Sequence, residues 1–493
     1  MTLPINAKIG AAALTAVAST SVLIWFGSGL NPWWTLLWFA PVPVLFFAAR
    51  NSLWSTALVA TISWLTGSFN LGHYFIAVLH VPLVATVLIF TIPALAFAGA
   101  ALLFRALLRK GAIWGAFLAF PSAWVSFEYM SNLLSPHGTA GSISYSQLKF
   151  LPVLQFASIT GPWGISFLMM LFSSSLALGL HLRLTAPRKA LRIVCVGLSA
   201  VVLVLFFGMT RLAQPLPRQQ AKVGLIASDL PGNVDVAGQG AETSRLFRDY
   251  AGKIKELAAS GAEVVVLPEK LGVVVDPDKD GAGVIFQSLV DRTKSRVVVG
   301  LVHVSPLAKF NEARMYSPQM PVLSYDKHHM LPPFESDLKP GTTLTLLATP
   351  SGTWGVAICK DMDFTPLSRQ YGKAGVGLLL VPAWDFDLDR LWHGHMSLMR
   401  GVESGFSIVR AAKQGYLTVS DDRGRVLAEA RSDSAAFATL VADVPVAHDV
   451  TLYLLLGDWF AWFALAILAF SLAKLYRLGN PLRAREIAAG GPS

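Results

Sequence analysis

Three residues of different chemistry fall where apolar, strand-like runs end: Glu269 after VVVLP, Lys327 after VLSYD and Cys359 after WGVAI. A thiol that attacks a carbonyl carbon needs a base for its proton and a cation or donors for the developing oxyanion. A carboxylate, an ammonium and a thiol at strand ends of one sheet, meeting in one pocket, would supply all three. Lys327 would also favour the thiolate, whose population governs cysteine reactivity. Lys360, Asp361 and Asp363 follow Cys359, so polarity rises where the strand turns and the sulfur is presented. The chain's other cysteine, Cys195, lies within an unbroken apolar run. Each residue taken singly has an ordinary reading: a turn glutamate, a solvated lysine in a Tyr-Asp-Lys-His-His run, a buried inert thiol.

The elements that carry these residues belong to a membrane protein. Of 493 residues, 54% are hydrophobic and only 14% charged, where an ordinary soluble domain has about 25% charged. Mean hydropathy is +0.53. The net charge of +10 does not point to nucleic acid, because the basic residues cluster at the edges of apolar runs. Two cysteines exclude a disulfide framework.

A helical span takes roughly 20 apolar residues. Runs of that kind predict eight spans, at about 9–27, 33–49, 54–74, 83–107, 112–127, 162–181, 191–209 and 456–475. The first continues to Phe26 and reads as an uncleaved anchor. One set of short connections holds thirteen Lys and Arg, the alternate set only Lys149. That bias predicts both termini in the cytoplasm and the long hydrophilic stretch outside, in the periplasm of a two-membrane bacterium. The expected domains are a membrane domain of seven spans (1–210), an extracytoplasmic domain (211–452), an eighth transmembrane helix (453–476) and a basic cytoplasmic tail (477–493).

The outer domain alternates strand and helix signals. Strands are expected near 223–228, 263–267, 296–304, 322–325, 354–358, 377–381, 406–411 and 438–444, with helices near 246–257, 284–294 and 388–403. Such alternation predicts one α/β domain.

The motifs VVVLPE (264–269), YDKHHMLPPFE (325–335), GVAICKD (355–361), AW (383–384), HMSLMRGVESG (395–405), VRAAKQG (409–415) and TLYLLLGDW (451–459) resemble the nitrilase-like carbon–nitrogen hydrolases. FPSAWVSFEYM (120–130), YSQ (145–147) and GPWGISFLMM (161–170) extend the resemblance to the membrane-bound branch, the apolipoprotein N-acyltransferases. The resemblance implies an αββα nitrilase sandwich on an eight-helix membrane domain. It implies Glu269 as general base, Lys327 as oxyanion-stabilising cation and Cys359 as nucleophile, with Glu335 and Trp384 in the pocket; Asp361, two residues after the thiol, is also expected at the substrate. The implied reaction moves an acyl group from a phospholipid, through a Cys359 thioester, to the N-terminal amine of a diacylglyceryl-cysteine lipoprotein precursor. Lys360-Asp361 after the cysteine, Val381-Pro382 before Ala-Trp and a short Lys327–Cys359 interval depart from the branch. A membrane-tethered amidase with the same triad, an idle lipoprotein-binding relative and a transporter are the competing readings.

Other polar residues predict less. His393 and His395, two apart, do not share a helix face, so no metal is expected. No cofactor is expected, and the chain is expected to be a monomer. His328 and His329 read as loop residues, and His73, His80 and His137 as interfacial. Glu128 reads as a snorkelling side chain at a span end. Trp33, Trp34, Trp163, Trp459 and Trp462 read as an aromatic belt. The runs Met330 to Phe334 and Leu388, Leu391, Trp392 are candidates for an acyl-chain entry or for packing on the membrane part.

Overall fold

The computed structural model describes residues 5–275 and 281–479. Of the expected tail, 480–493 lies outside the described residues, and Arg477 closes the last helix, Trp459–Gly479.

Among the described residues, five helices are long and apolar enough to cross a bilayer: Lys8–Gly27, Leu83–Arg109, Pro162–Leu182, Pro187–Ala213 and Trp459–Leu478. The other three expected spans take different forms. The run at 33–49 splits into a short turn, Leu36–Trp38, and an eight-residue helix, Pro41–Ala48. Proline opens a helix readily and does not continue one; eight residues rise only about 12 Å against a core of about 30 Å. The run at 54–74 gives the 16-residue helix Leu53–Ser68. The run at 112–127 gives Ile113–Leu134, which buries Ser122, Ser126 and Glu128 along its length.

The chain between these helices folds into two sheets. The first contains β1 (Gln220–Ala227), β2 (Val264–Val266), β3 (Val273–Val274), β4 (Arg296–Val304), β5 (Lys309–Tyr316), β6 (Leu323–Asp326) and, arriving last, β13 (Ala438–Pro445). The second contains β7 (Thr345–Thr349), β8 (Gly352–Val356), β9 (Val376–Trp384), β10 (Ser407–Lys413), β11 (Tyr416–Ser420) and β12 (Val426–Arg431). Their orders are β13-β1-β2-β4-β5-β6, with β3 beside β4, and β12-β11-β10-β9-β8-β7. β1, β2 and β4 run parallel, as do β8, β9 and β10. Continuous burial along β9 and β10 fits parallel strands covered on both faces.

Val223, Leu225, Val298, Trp354, Leu378 and Ile408 share one core between the sheets. Helices Ala241–Ala259 and Ala282–Thr293 cover the outer face of the first sheet through Leu246, Tyr250, Ile254 and Phe286. Helices Thr365–Lys373 and Arg390–Ser404 cover the second. The layers are therefore α, β, β, α. Met396, Met399 and Val402 of helix Arg390–Ser404 belong to the same apolar cluster as the membrane helices. The outer helical layer of the second sheet thus sits directly on the membrane part.

Candidate active site

The parallel strands end on one side, and there the reactive residues gather. Glu269 follows β2, and its backbone N–H donates to Ala383 O of β9 at 3.2 Å. β4 passes close behind: a Cβ on Gly300 would lie 2.5 Å from Pro268 O and 2.6 Å from Glu269 Cα. Lys327 follows β6 and donates its backbone N–H to Asn311 O at 2.8 Å. Cys359 follows β8 with φ +41, a left-handed conformation for a residue with a side chain. Such strain persists only where surrounding structure fixes it.

Lys327 and two carboxylates form one buried network. The Lys327 ammonium donates to Glu269 Oε1 at 2.8 Å and to Glu335 Oε2 at 2.9 Å. Asn311 Nδ2 donates to Glu269 Oε1 at 2.6 Å and to Glu335 Oε1 at 2.7 Å. Glu335 also accepts from Lys270 Nζ at 2.8 Å and from Leu331 N at 2.8 Å. Glu335 is saturated: Lys327 and Lys270 outweigh its burial and hold its carboxyl down at about 2. Glu269 takes both its donors on Oε1, and its Oε2 has no hydrogen-bond partner among the described residues. Only Glu269 therefore keeps a lone pair for an incoming proton.

The two lysines balance the two carboxylates, so the network has no net charge with both acids ionised. Burial alone would strip Lys327 of its proton, but Glu269 and Glu335 hold its affinity above the ordinary lysine value. Burial pushes the Cys359 thiol well up; Glu269 pushes it further, and Lys327 pulls it back. A thiolate formed alone would add an uncompensated charge, whereas passing the proton to Glu269 only moves the negative charge from oxygen to sulfur. The Cys359 thiol meanwhile donates to Trp384 O at 3.6 Å.

Trp384 and Lys270 line a cavity of about 400 Å³, walled by Val236, Val273, Val302, Val304, Phe334 and Leu338. Phe334 and Leu388 are exposed at 44% and 46%, and Phe334 meets Phe386 with ring centroids 5.3 Å apart.

Asp361, expected at the substrate, is fully buried with both oxygens taken. Oδ1 accepts from His328 N, His329 N and His329 Nδ1 at 3.2, 3.0 and 2.9 Å. Oδ2 accepts from Tyr325 OH at 2.7 Å and Ile358 N at 3.1 Å. It joins the Lys327 turn to the Cys359 turn and leaves no oxygen for a ligand. His329 is accordingly more than a loop residue; its ring also stacks on Phe364 at 3.6 Å.

The turn after Cys359 rests on the loop 135–142 of the membrane part. Lys360, 6% exposed, donates to His137 Nδ1 at 3.1 Å and to Asp363 at 3.3 Å. Thr139 donates its N–H and its hydroxyl to Asp363 O at 3.0 and 2.7 Å. Gly138, at φ +52, has no room for a Cβ, which would fall 2.6 Å from Asp363 O. Asp389 binds the Tyr74 hydroxyl and lies 2.6 Å from His393 Nδ1. His395 contacts Glu429 at 3.1 Å.

Two membrane-side expectations are corrected by burial. Glu128 does not snorkel: it is buried and accepts from Trp124 Nε1, Ser142 Oγ and Ile143 N at 3.1, 3.2 and 2.8 Å, closing the loop that holds His137. Trp163 is no belt residue; it is fully buried and donates to Asp458 at 2.8 Å, whereas Trp33 and Trp462 stay exposed.

Sequence reasoning missed Asn311. It lies on β5, where KFNEARMY shows no apolar alternation because Glu312 and Arg314 pair inside the sheet at 3.0 Å.

An αββα sandwich with a buried carboxylate–lysine network beside a strained cysteine, standing on apolar helices, is the arrangement expected of a membrane-attached carbon–nitrogen hydrolase. The family described as "Apolipoprotein N-acyltransferase N-terminal domain" matches residues 20–175, and "Carbon-nitrogen hydrolase" matches 237–448. The apolipoprotein N-acyltransferase of Geobacter metallireducens is 29% identical over 407 residues, 75% of this chain and 77% of the relative. That of Haemophilus ducreyi is 23% identical over 462 residues, 84% and 89% of the two chains. Among solved structures, Saccharomyces cerevisiae Nit3, of branch 10 of the nitrilase superfamily, superposes with a TM-score of 0.40 at 20% identity, covering 47% of this chain and 92% of Nit3. The chain thus carries a carbon–nitrogen hydrolase domain after a domain of the apolipoprotein N-acyltransferase N-terminal type, resembles the apolipoprotein N-acyltransferases along both, and is an enzyme of acyltransferase type.

Proposed function

We propose that the protein moves a fatty acyl group from a phospholipid to the N-terminal amine of a diacylglyceryl-cysteine lipoprotein precursor, through a thioester on Cys359. Glu269 Oε2 takes the thiol proton as sulfur bonds the ester carbonyl carbon. Lys327 compensates the oxyanion. The ester C–O bond then breaks, and the lysophospholipid oxygen leaves with the proton from Glu269. In the second half, the amine nitrogen attacks the thioester carbon and its proton passes to Glu269. The C–S bond breaks, and the sulfur recovers that proton.

The observation that carries this reading is the free oxygen on Glu269, beside a thiol, with the second carboxylate fully committed. The apolar cavity next to Trp384 suits an acyl chain, each buried methylene contributing about 0.8 kcal/mol. A membrane-facing site spares the lipid chain a passage through water. In this reading the apolar helices of residues 1–210 and 453–476 anchor the protein in the inner membrane, with both termini cytoplasmic. The catalytic domain, 211–452, is periplasmic and the chain acts as a monomer.

The test is mass spectrometry of the purified protein mixed with phospholipid, then with a diacylated lipopeptide amine. The reading requires an acyl adduct on Cys359 that the amine discharges as an amide. Discharge to free fatty acid at the same rate with or without the amine would make the protein an amidase-like hydrolase. No adduct, with Cys359→Ala fully active, would end the assignment.

A further inference from the structure

Lys413 ends β10 and has no part in the mechanism above. It is fully buried, and among the described residues no carboxylate lies within ion-pair distance of its ammonium. Its hydrogen bond goes to Lys270 O at 3.1 Å, on the residue after Glu269. Burying an ammonium without a paired anion is costly, and it survives here with one carbonyl and one aromatic face. That face is Trp384: Lys413 Nζ stands 3.7 Å from the ring centroid. Lys270 Nζ lies 5.3 Å from the same ring, and Trp384 Nε1 donates to Gln414 Oε1 at 2.8 Å. In the β9–β10 register Lys413 stands opposite Trp384. Six residues other than glycine have positive φ among the described residues; Lys270, Cys359 and Gln414 are three of them. Three turns that touch Trp384, two at its indole and one at its carbonyl, are therefore held in strained backbone.

We propose that Lys413 is a positioning residue: its ammonium, set against the Trp384 indole and tied to the backbone beside Glu269, fixes the strand end whose carbonyl receives the Cys359 thiol. Lys413 does not line the cavity, whereas Trp384 and Lys270 do, so it acts through them. Burial holds its proton affinity down at about 7, with Glu269, Asp235 and Asp229 raising it and Lys270 lowering it.

The inference rests on Cys359 being the nucleophile, and its test does not require that the donor be a phospholipid. Full-length protein in detergent is alkylated with iodoacetamide, and separately acylated from phosphatidylethanolamine micelles, with the rate at Cys359 read by mass spectrometry. Lys413→Met, which keeps length and loses charge, should slow both reactions on the order of tenfold, and Lys413→Arg should recover most of the loss. In a Trp384→Leu background Lys413→Met should cost nothing further, because the two act as one unit. If Lys413→Met does not accumulate, Lys413→Gln is read the same way. Alkylation within about twofold of the parent, or losses that add in the double variant, would overturn the inference. A parent protein that is alkylated but never acylated would overturn the phospholipid reading and leave Lys413 to be judged on alkylation.

Discussion

Asn311 Nδ2 lies 2.6 Å from Glu269 Oε1, on the same oxygen that Lys327 occupies. Two donors on one oxygen fix the carboxylate and leave its other oxygen without a partner among the described residues. Asn311→Ala should therefore slow thioester formation about 10- to 100-fold, the range for one lost buried hydrogen bond to a charged group. Asn311→Asp should be worse, since a third carboxylate would compete for the Lys327 charge. Single-turnover acylation measured by quenched mass spectrometry checks both.

Glu269→Gln keeps the shape and the Lys327 contact but cannot take a proton. Acylation should fall by about 10² to 10⁴, whereas Glu335→Gln should lower folding yield as well as rate, because it leaves Lys270 and Lys327 short of charge. Comparing adduct formation with the amount of monodisperse protein separates the two effects.

Gly300→Ala tests placement without touching a reactive atom. Its Cβ would push Pro268 and Glu269, and a shift near 1 Å in a catalytic group costs on the order of 100-fold. The expected outcome is a folded, membrane-inserted protein with slow acylation.

His393 gives a pH dependence with a definite sign. Burial lowers its affinity for protons, but Asp389 more than offsets this, and the ring is pushed up to about 9. A raised folded-state value means the His393–Asp389 contribution is fully present below about 6.5 and is lost as pH rises through 9. Thermal inactivation should therefore come at lower temperature across that window, and His393→Gln should flatten the trend. An unchanged slope in His393→Gln would refute the linkage.

Apolar runs made much of this fold legible. The strands at 296–304 and 323–326 and the helix at 390–404 lie within a residue or two of their sequence patterns. Glu269, Lys327 and Cys359 stood out because each closes such a run. The pattern failed where charge pairs replace apolar contacts, as at Glu312 and Arg314 on β5, and so Asn311 stayed hidden. It failed again where apolar length did not become helix length, as at Pro41. The partners of Lys360 and Asp361 were invisible for a different reason: each bonds across more than 30 residues, as with His137–Lys360, 223 positions apart.

Met396, Met399 and Val402 face the membrane helices and not water. Cut free of those helices, the sandwich would expose an oily sole under the very layer that braces its second sheet. β13 closes the first sheet against β1, so the sandwich is completed only after most of the chain has been made, with the apolar helices before β1 preceding it. The membrane helices thus cover an apolar face of the catalytic part, and a water-soluble excised version should aggregate rather than work.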